Sequence, residues 1–424
     1  MSDTPRELQL KTRPGRRPSS THGPVSCSFT VEGGTASPDV APKNIVILGS
    51  TGSIGESALR VAAALPDRFH IVGLAAQTKV ERLLEQARLF AVKRVAVVDR
   101  EAARRAAQLA PAGLTVLAGP EGLEELAAQE DADIALVAVV GMAGLNPVLA
   151  ALRQGTDVAL ATKEVLVAAG HKVMAESRAA GARILPVDSE HSAIFQCLGG
   201  QGAERARRLV LTASGGPFAH NPRIDLEKVT VAEALKHPRW NMGRKVTVDS
   251  ATMMNKGLEI IEAHWLFGVP FERIEVVVHP ESIVHSMVEF QDGNVLAQLS
   301  VSDMRFAIQL AFTWPERLDG GLPALDLARL GTLHFSTPNE ARFPCLRLAR
   351  AAARAGGTMP VILNAANEVA VQEFLNGQLS FPGIWRTVEK ALERHTALAD
   401  PDLPDILAAD RWARAEAGRL IREK

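Results

Sequence analysis

Cysteine is scarce in these 424 residues, with three in all at Cys27, Cys197 and Cys345. Their odd number and wide spacing exclude a disulfide framework and a cysteine-based zinc site, and fit a reducing compartment. An excess of charge of either sign is also missing. The 47 basic residues meet 48 acidic ones, for a formal net charge of −1. No global basic field therefore draws nucleic acid or an anionic membrane. No apolar run approaches the roughly 18 residues of a membrane span, and no internal repeat is present.

What remains is an ordinary globular composition, 47% apolar and 22% charged. The length suits two or three domains. Residues 1–42 stand apart: Pro, Gly, Ser and Thr dominate and no periodicity appears. They lack the apolar stretch of a secretory signal. Asp3, Glu7 and Glu32 argue against an organellar transit peptide. A disordered tail or an overlong start is expected, in a cytoplasmic protein of bacterial type.

From residue 43 apolar runs alternate with amphipathic stretches. Strands are expected at 44–48, 69–75, 94–98, 134–140 and 157–161, with helices at 53–64, 80–89, 101–109 and 147–154. Continuous apolar strands between helices predict a parallel sheet covered on both faces. After Pro186 the rhythm changes. A strand at 209–213 and a helix at 251–267 precede strands at 274–278, 283–290 and 294–301. Asp292-Gly293 between the last two is a hairpin signal. Residues 314–342 read as a linker, and helices are expected at 345–355, 360–375, 384–398 and 408–422. The fold class is therefore α/β: a Rossmann-like parallel-sheet domain (43–188), an α+β domain with an antiparallel sheet (189–313), and a C-terminal helical domain (343–424).

Gly49-Ser50-Thr51-Gly52-Ser53-Ile54-Gly55 follows the first strand and opens a helix. Glycines there permit a tight turn and close approach of backbone to pyrophosphate, and the helix N-terminus favours negative charge. An NAD site usually carries an acid at the end of the second strand. This chain has Gln77-Thr78-Lys79 instead. Thr78 and Lys79 suit a ribose 2′-phosphate and favour NADP(H), although Lys79 also fits a plain helix start.

Asp188 and Glu190 flank Ser189 after an expected strand at 183–187. In extended chain both would point the same way and share a cation, though two solvated loop acids carry the same pattern. Further on, Asn255 and Glu259 fall four apart on one helical face, with Lys256 beside them. Oxygen donors of this kind suit Mg²⁺ or Mn²⁺ rather than zinc. Ser214-Gly215-Gly216-Pro217 offers a hydroxyl and backbone amides for an anion. His237-Pro238-Arg239-Trp240-Asn241-Met242-Gly243 is polar apart from one indole and one methionine. It reads as a lid, or else as a loop anchored by a buried Trp240.

At these residues the chain resembles the 1-deoxy-D-xylulose 5-phosphate reductoisomerase family over residues 43–424. The motifs are GSTGSIG (49–55), PVDSEH (186–191), SGGPF (214–218), HPRWNMG (237–243), VDSATMMNKGLE (248–259) and LNAANE (363–368). The resemblance implies NADPH, a divalent metal and a small phosphorylated sugar, in a homodimer that binds neither nucleic acid nor membrane. It implies Asp188, Glu190 and Glu259 as metal ligands. Ser189, Glu190, Ser214, His237, Ser250, Asn255, Lys256 and Glu259 become substrate contacts. Thr51, Gly52, Ser53, Ile54, Gln77, Thr78, Lys79, Thr162, Lys163, Glu164 and Gly243 fall on the cofactor side. Glu190, Lys163, His237 and Trp240 are the catalytic candidates, with Glu190 and Lys163 competing for the proton transfer.

Two positions depart from the family pattern. Thr162 stands where asparagine is usual, and Gln77-Thr78-Lys79 replaces a Gly-Lys-Asn-like segment. Two other functions stay open at this point: a simpler NADP-dependent dehydrogenase of another phosphorylated substrate, and a non-catalytic NADPH-binding regulator.

Overall fold

The chain Lys43–Leu48 (β1) is buried from Ile45 onward, with no face left for water. In a computed structural model, describing residues 41–200, 202–240 and 242–423, it is the middle strand of a seven-stranded sheet. The expected tail, except its last two residues, lies outside the described residues, as do Cys27 and Asn241. The other strands are Phe69–Ala76 (β2), Arg94–Val97 (β3), Thr115–Ala118 (β4), Ile134–Val137 (β5), Asp157–Leu160 (β6) and Ile184–Pro186 (β7). All pair in parallel, in the order β4-β3-β2-β1-β5-β6-β7. Successive side chains of a strand face opposite ways. Ile45 and Ile47 accordingly enter one apolar core, and Val46 and Leu48 the other. Covering helices explain why each strand reads as one apolar run.

Strand order reverses beside β1, whose neighbours are β2 and β5. Ligands of doubly wound sheets bind in the crevice beyond the carboxyl ends of strands at such a point. The glycine loop begins there.

The second sheet joins Ala206–Ala213 (β8), Ile274–Val278 (β9), Val284–Phe290 (β10) and Val295–Leu299 (β11) in the order β11-β10-β8-β9. The expected hairpin is present, and β10 runs antiparallel to both β11 and β8. The sheet is nevertheless mixed, because β8 and β9 are parallel. The helices Arg244–Thr252 and Met254–Phe267 lie between those two strands. A connection of that length brings the chain back in the same direction.

These helices also correct the expected single helix over 251–267. Met253, with φ of +66°, divides it. Gly257 then lets the second helix press close to Cys345–Ala355; a Cβ there would lie 2.5 Å from the Ala349 Cβ. The helices Met359–Leu375, Phe381–Arg394 and Leu403–Arg422 complete the C-terminal bundle. The helix Arg305–Thr313 returns to the first sheet, where Phe312 meets Phe69 edge-on at 5.6 Å. Among the described residues no helix is long and apolar enough to cross a membrane.

Candidate active site

Gly49 has φ of +90°, and a Cβ on it would lie 2.5 Å from the Ala138 carbonyl oxygen, beyond the end of β5. Only glycine lets the chain leave β1 this way. Gly52 then caps the helix Ser53–Ala64. Ser50 braces the turn from below, donating to Gln86 Oε1 at 2.7 Å, and Gln86 Nε2 donates back to the Ser50 carbonyl at 3.1 Å. Ser53 and Ile54 face a cavity of about 620 Å³. Thr51 and Gly52 sit on the turn outside its lining. Gln77, Thr78 and Lys79 are exposed beside that turn, and Lys79 Nζ approaches the Thr51 carbonyl at 3.5 Å.

The same cavity is lined by Lys163, Asp188, Ser189 and Glu190 on one side. Ser214, His237, Trp240, Gly243, Ser250, Asn255 and Lys256 line the rest. Thr162 is buried, and its hydroxyl donates to the Val139 carbonyl at 2.5 Å and the Val137 carbonyl at 3.3 Å. That hydroxyl ties down the end of β5. Glu164 is also buried and turns from the cavity toward Lys245, at 2.6 Å.

Asp188 and Glu190 converge, but not through the extended geometry expected of them. Asp188 caps the helix Ser189–Leu198 and accepts from the Glu190 amide at 3.1 Å, so Glu190 lies in the first helical turn. Glu259 rises from Met254–Phe267 beneath both, fully buried. One oxygen from each of Asp188, Glu190 and Glu259 lies within 4.8 Å of the others. An octahedral cation with bonds of roughly 2.1 Å spans about 4.2 Å between opposite ligands. The donor set, all carboxylate oxygen, therefore fits one hard divalent ion.

Two lysines hold these acids. Lys163 Nζ lies 2.5 Å from Asp188 Oδ2 and 2.9 Å from Glu259 Oε1. Lys256 Nζ lies 2.5 Å from Glu259 Oε2 and 3.6 Å from Glu190. Asn255 donates to Glu259 Oε1 at 2.5 Å, four residues apart as expected. Burial works against the charge of Asp188, but Lys163 and then His191 outweigh it and hold its pKa well below the ordinary carboxylate range. Glu190 goes the other way. Burial is the main cause, Lys256 only partly offsets it, and Glu259 and Asp188 add to it, bringing Glu190 to about 8. The site thus pairs one firmly ionised acid with one that exchanges its proton near neutral pH.

A second group of ligand-type residues, Asp188, His191 and Glu262, lies behind the first. His191 Nε2 meets the Glu259 carbonyl at 2.9 Å, and a carbonyl only accepts. Its Nδ1 faces Asp188 at 3.1 Å and Glu262 at 3.4 Å. Burial disfavours the imidazolium, but Glu262 and Asp188 prevail and raise it to about 9. His191 is therefore itself the cation of this group. Sequence reasoning singled out neither His191 nor Glu262. The recurrence of a glutamate three residues after Glu259, on the same helix, was the available signal.

Across the cavity, His237 Nδ1 accepts from the amides of Trp240 (2.9 Å) and Arg239 (3.2 Å). Its proton therefore sits on Nε2, which donates to Ser214 Oγ at 2.9 Å. The Gly216 amide reaches the same oxygen at 3.2 Å. With two donors already on its oxygen, the hydroxyl of Ser214 has its own proton free for an acceptor. Trp240 is half-buried, its ring edge-on to His285 with centroids 6.1 Å apart.

A helix start at the switch point of a doubly wound sheet opens on the same cavity as a carboxylate cluster of metal-binding size. Such a molecule is a nucleotide-dependent oxidoreductase. Comparisons narrow that class to one family. Residues 45–170 match the model of 1-deoxy-D-xylulose 5-phosphate reductoisomerase, 184–267 that of its C-terminal domain, and 299–416 that of a further DXP reductoisomerase C-terminal domain. The 1-deoxy-D-xylulose 5-phosphate reductoisomerase of Pelotomaculum thermopropionicum is 54% identical over 383 residues, covering 90% of this chain and 99% of that one. That of Symbiobacterium thermophilum is 56% identical over 380 residues, covering 88% and 98%. Among solved structures, the Zymomonas mobilis enzyme in complex with NADPH is 41% identical, with a TM-score of 0.84 over 90% of this chain and 99% of that one. A DOX-P reductoisomerase in complex with NADPH, fosmidomycin and magnesium is 39% identical, with a TM-score of 0.84 over 90% and 98%. The chain belongs to the 1-deoxy-D-xylulose 5-phosphate reductoisomerase family.

Proposed function

We propose that this chain converts 1-deoxy-D-xylulose 5-phosphate to 2-C-methyl-D-erythritol 4-phosphate with NADPH and a divalent cation. The observation that carries this reading is the single cavity shared by the helix start at Ser53 and Ile54 and by the acids Asp188 and Glu190, with Glu259 beneath. Magnesium or manganese held by Asp188, Glu190 and Glu259 supplies Lewis acidity toward the substrate's oxygens.

The chain's own residues do the rest. Ser189, Ser214, Ser250, Asn255 and Lys256 supply donors around the cavity for a phosphate and hydroxyls. His237 fixes the Ser214 hydroxyl through its Nε2 proton. Glu190, ionised when it holds the metal, stands on the cavity wall where it takes the hydroxyl proton from the ketose. Lys163 keeps Asp188 ionised and holds Glu259 in line beside it. The carbon skeleton cleaves and rejoins as a branched aldehyde, and hydride from NADPH plus one proton reduces that aldehyde to the alcohol, leaving NADP⁺. Ser53, Ile54 and Gly243 border the cofactor side of the cavity, and Thr51, Gly52, Gln77, Thr78 and Lys79 lie on the adjoining turn. Trp240 closes over the reacting atoms and keeps water out.

The active form is a homodimer in the cytoplasm. β11 is an edge strand with Val295 and Leu296 about half exposed, which favours pairing with a second copy. Cys197 and Cys345 are free thiols, in keeping with a reducing compartment. The division into a sheet domain at 43–188, a catalytic domain at 189–313 and a helical domain at 343–424 is part of the same reading. The test is the identity of the product. Incubation with 1-deoxy-D-xylulose 5-phosphate, NADPH and Mg²⁺ should yield the branched tetrol phosphate by NMR. A straight-chain reduced ketose would mean a simple dehydrogenase and would overturn the reading.

A further inference from the structure

Behind the wall of the cavity, two helices meet at one ammonium, and a third reaches the carboxylate beside it. Lys245, on the first turn of Arg244–Thr252, lies 2.6 Å from Glu164 Oε1 and 3.0 Å from Asp249 Oδ2. Asn367 Nδ2 donates to the other oxygen of Asp249 at 2.8 Å. Glu164, Asp249 and Asn367 are all buried. Each adjoins a residue of the site: Glu164 follows Lys163, Lys245 comes two after Gly243, and Asp249 precedes Ser250. Asn367 belongs to the motif at 363–368, for which the proposed chemistry has no use.

We infer that Lys245 is a positioning residue. It locks the helix Arg244–Thr252 to the start of Glu164–Ala180, so that the cofactor side and the substrate side keep one fixed spacing. The motif at 363–368 sets the tilt of that helix from the C-terminal bundle. Glu164 acts on the cofactor side through Lys245, because its carboxylate is engaged there.

The geometry favours a rigid bridge over a solvated ion pair. Burial works against the charge of Lys245, yet Asp249 and then Glu164 outweigh it and keep its pKa above the ordinary value. Burial likewise works against Glu164, and Lys245 overcomes it and lowers its pKa. Both partners stay charged across the working range. The bundle end is tied down as well. Glu368 accepts from Arg414 at 2.6 Å and from Asn364 at 3.1 Å, and it packs against Gly141 beyond β5, where a Cβ would lie 2.9 Å from its Oε1. One helix turn, Asn364 to Glu368, therefore touches both the end of β5 and the base of the substrate helix.

This inference rests on the proposed function, and its test separates the two. NADPH affinity is read by fluorescence titration of the metal-free full chain, beside steady-state kinetics. Glu164→Gln and Lys245→Met should each raise the NADPH Kd and the KM of the phosphorylated substrate together, by roughly ten-fold, with kcat reduced less. Lys245→Arg should restore most of both. In the double variant the penalties should fall well short of multiplying, because each residue acts through the other. Penalties that multiply, a change confined to kcat, or unaltered Kd and KM would overturn the inference. If Lys245→Met does not fold, Glu164→Gln and Asp249→Asn carry the same comparison, since each leaves the ammonium one ionised partner. A wild type that fails to bind NADPH at all would instead refute the proposed function.

Discussion

Lys163 Nζ lies 2.9 Å from Glu259 Oε1, although 96 residues separate them and Glu259 is wholly buried. Glu259 also holds Lys256 at 2.5 Å. It is the carboxylate between two ammoniums. Removing its charge leaves Lys163 with Asp188 alone and Lys256 buried without a close ionised partner, a change that costs roughly 3–5 kcal/mol. Glu259→Gln should therefore melt well below the parent and lose metal-dependent turnover. Glu190→Gln should lose turnover with stability within about 1 kcal/mol, because Glu190 near neutral pH already carries a proton. Thermal melts of the two variants side by side check this, and equal losses would contradict it.

Asp188 combines two roles that substitution separates. It caps Ser189–Leu198 and contributes an oxygen to the carboxylate cluster. Asparagine caps a helix as well as aspartate does, whereas alanine costs about 1 kcal/mol more. Asp188→Asn and Asp188→Ala should both abolish metal-dependent turnover, and only alanine should add the cap penalty. NADPH binding should survive in both, as measured by fluorescence titration.

The position of Glu190 also fixes a pH dependence. Its pKa in the folded chain, about 8, lies above the ordinary 4.5. In the metal-free protein it contributes stability that is fully present below the ordinary value. That contribution is lost as pH rises through about 8. A divalent ion needs the ionised form, so Mg²⁺ affinity should climb with pH up to about 8 and then level off. Calorimetry in buffers of different ionisation heat should detect close to one proton released near neutral pH, and almost none well above pH 8. No proton release at neutral pH would contradict the assignment.

The glycine loop and the parallel sheet were legible because each buried strand is one apolar run and Gly49 stands where only glycine fits. The acids of the site were legible as residue types but not as geometry. Asp188 and Glu190 looked like neighbours on an extended strand, because a helix cap cannot be told from a strand end without knowing that Ser189 begins a helix. The helix Glu164–Ala180 was hidden by Gly170, where a Cβ would lie 2.3 Å from the Trp265 ring. A packing demand from a residue 95 positions away leaves no local period to read. The same holds for the parallel β8–β9 pair, for the break at Met253, and for Lys245, whose partner Glu164 lies 81 residues away.

Among the described residues Trp240 has one aromatic neighbour, His285, and stays half-buried against the cavity. Trp240→Ala should leave the melting temperature almost unchanged and lower turnover roughly ten-fold or more, as loss of a water-excluding cover would. A stability loss of ~3–5 kcal/mol, typical of a core aromatic, would show an anchoring role instead.

Lys79 sits exposed beside the glycine turn, with no acid at the end of β2 to receive a ribose hydroxyl. Catalytic efficiency with NADPH should exceed that with NADH by at least ~10-fold, about 1.4 kcal/mol. Lys79→Ala should narrow the gap. Equal efficiencies in the parent chain would remove Thr78 and Lys79 from the cofactor site.

The most direct test of the central claim is NADPH oxidation, followed by absorbance with 1-deoxy-D-xylulose 5-phosphate present. Chelator-treated protein should be silent, Mg²⁺ or Mn²⁺ should restore oxidation, and Asp188→Asn should stay silent with either ion while still binding NADPH. Oxidation that continues in the chelated protein, or in Asp188→Asn, would contradict a carboxylate-held metal at the centre of this site.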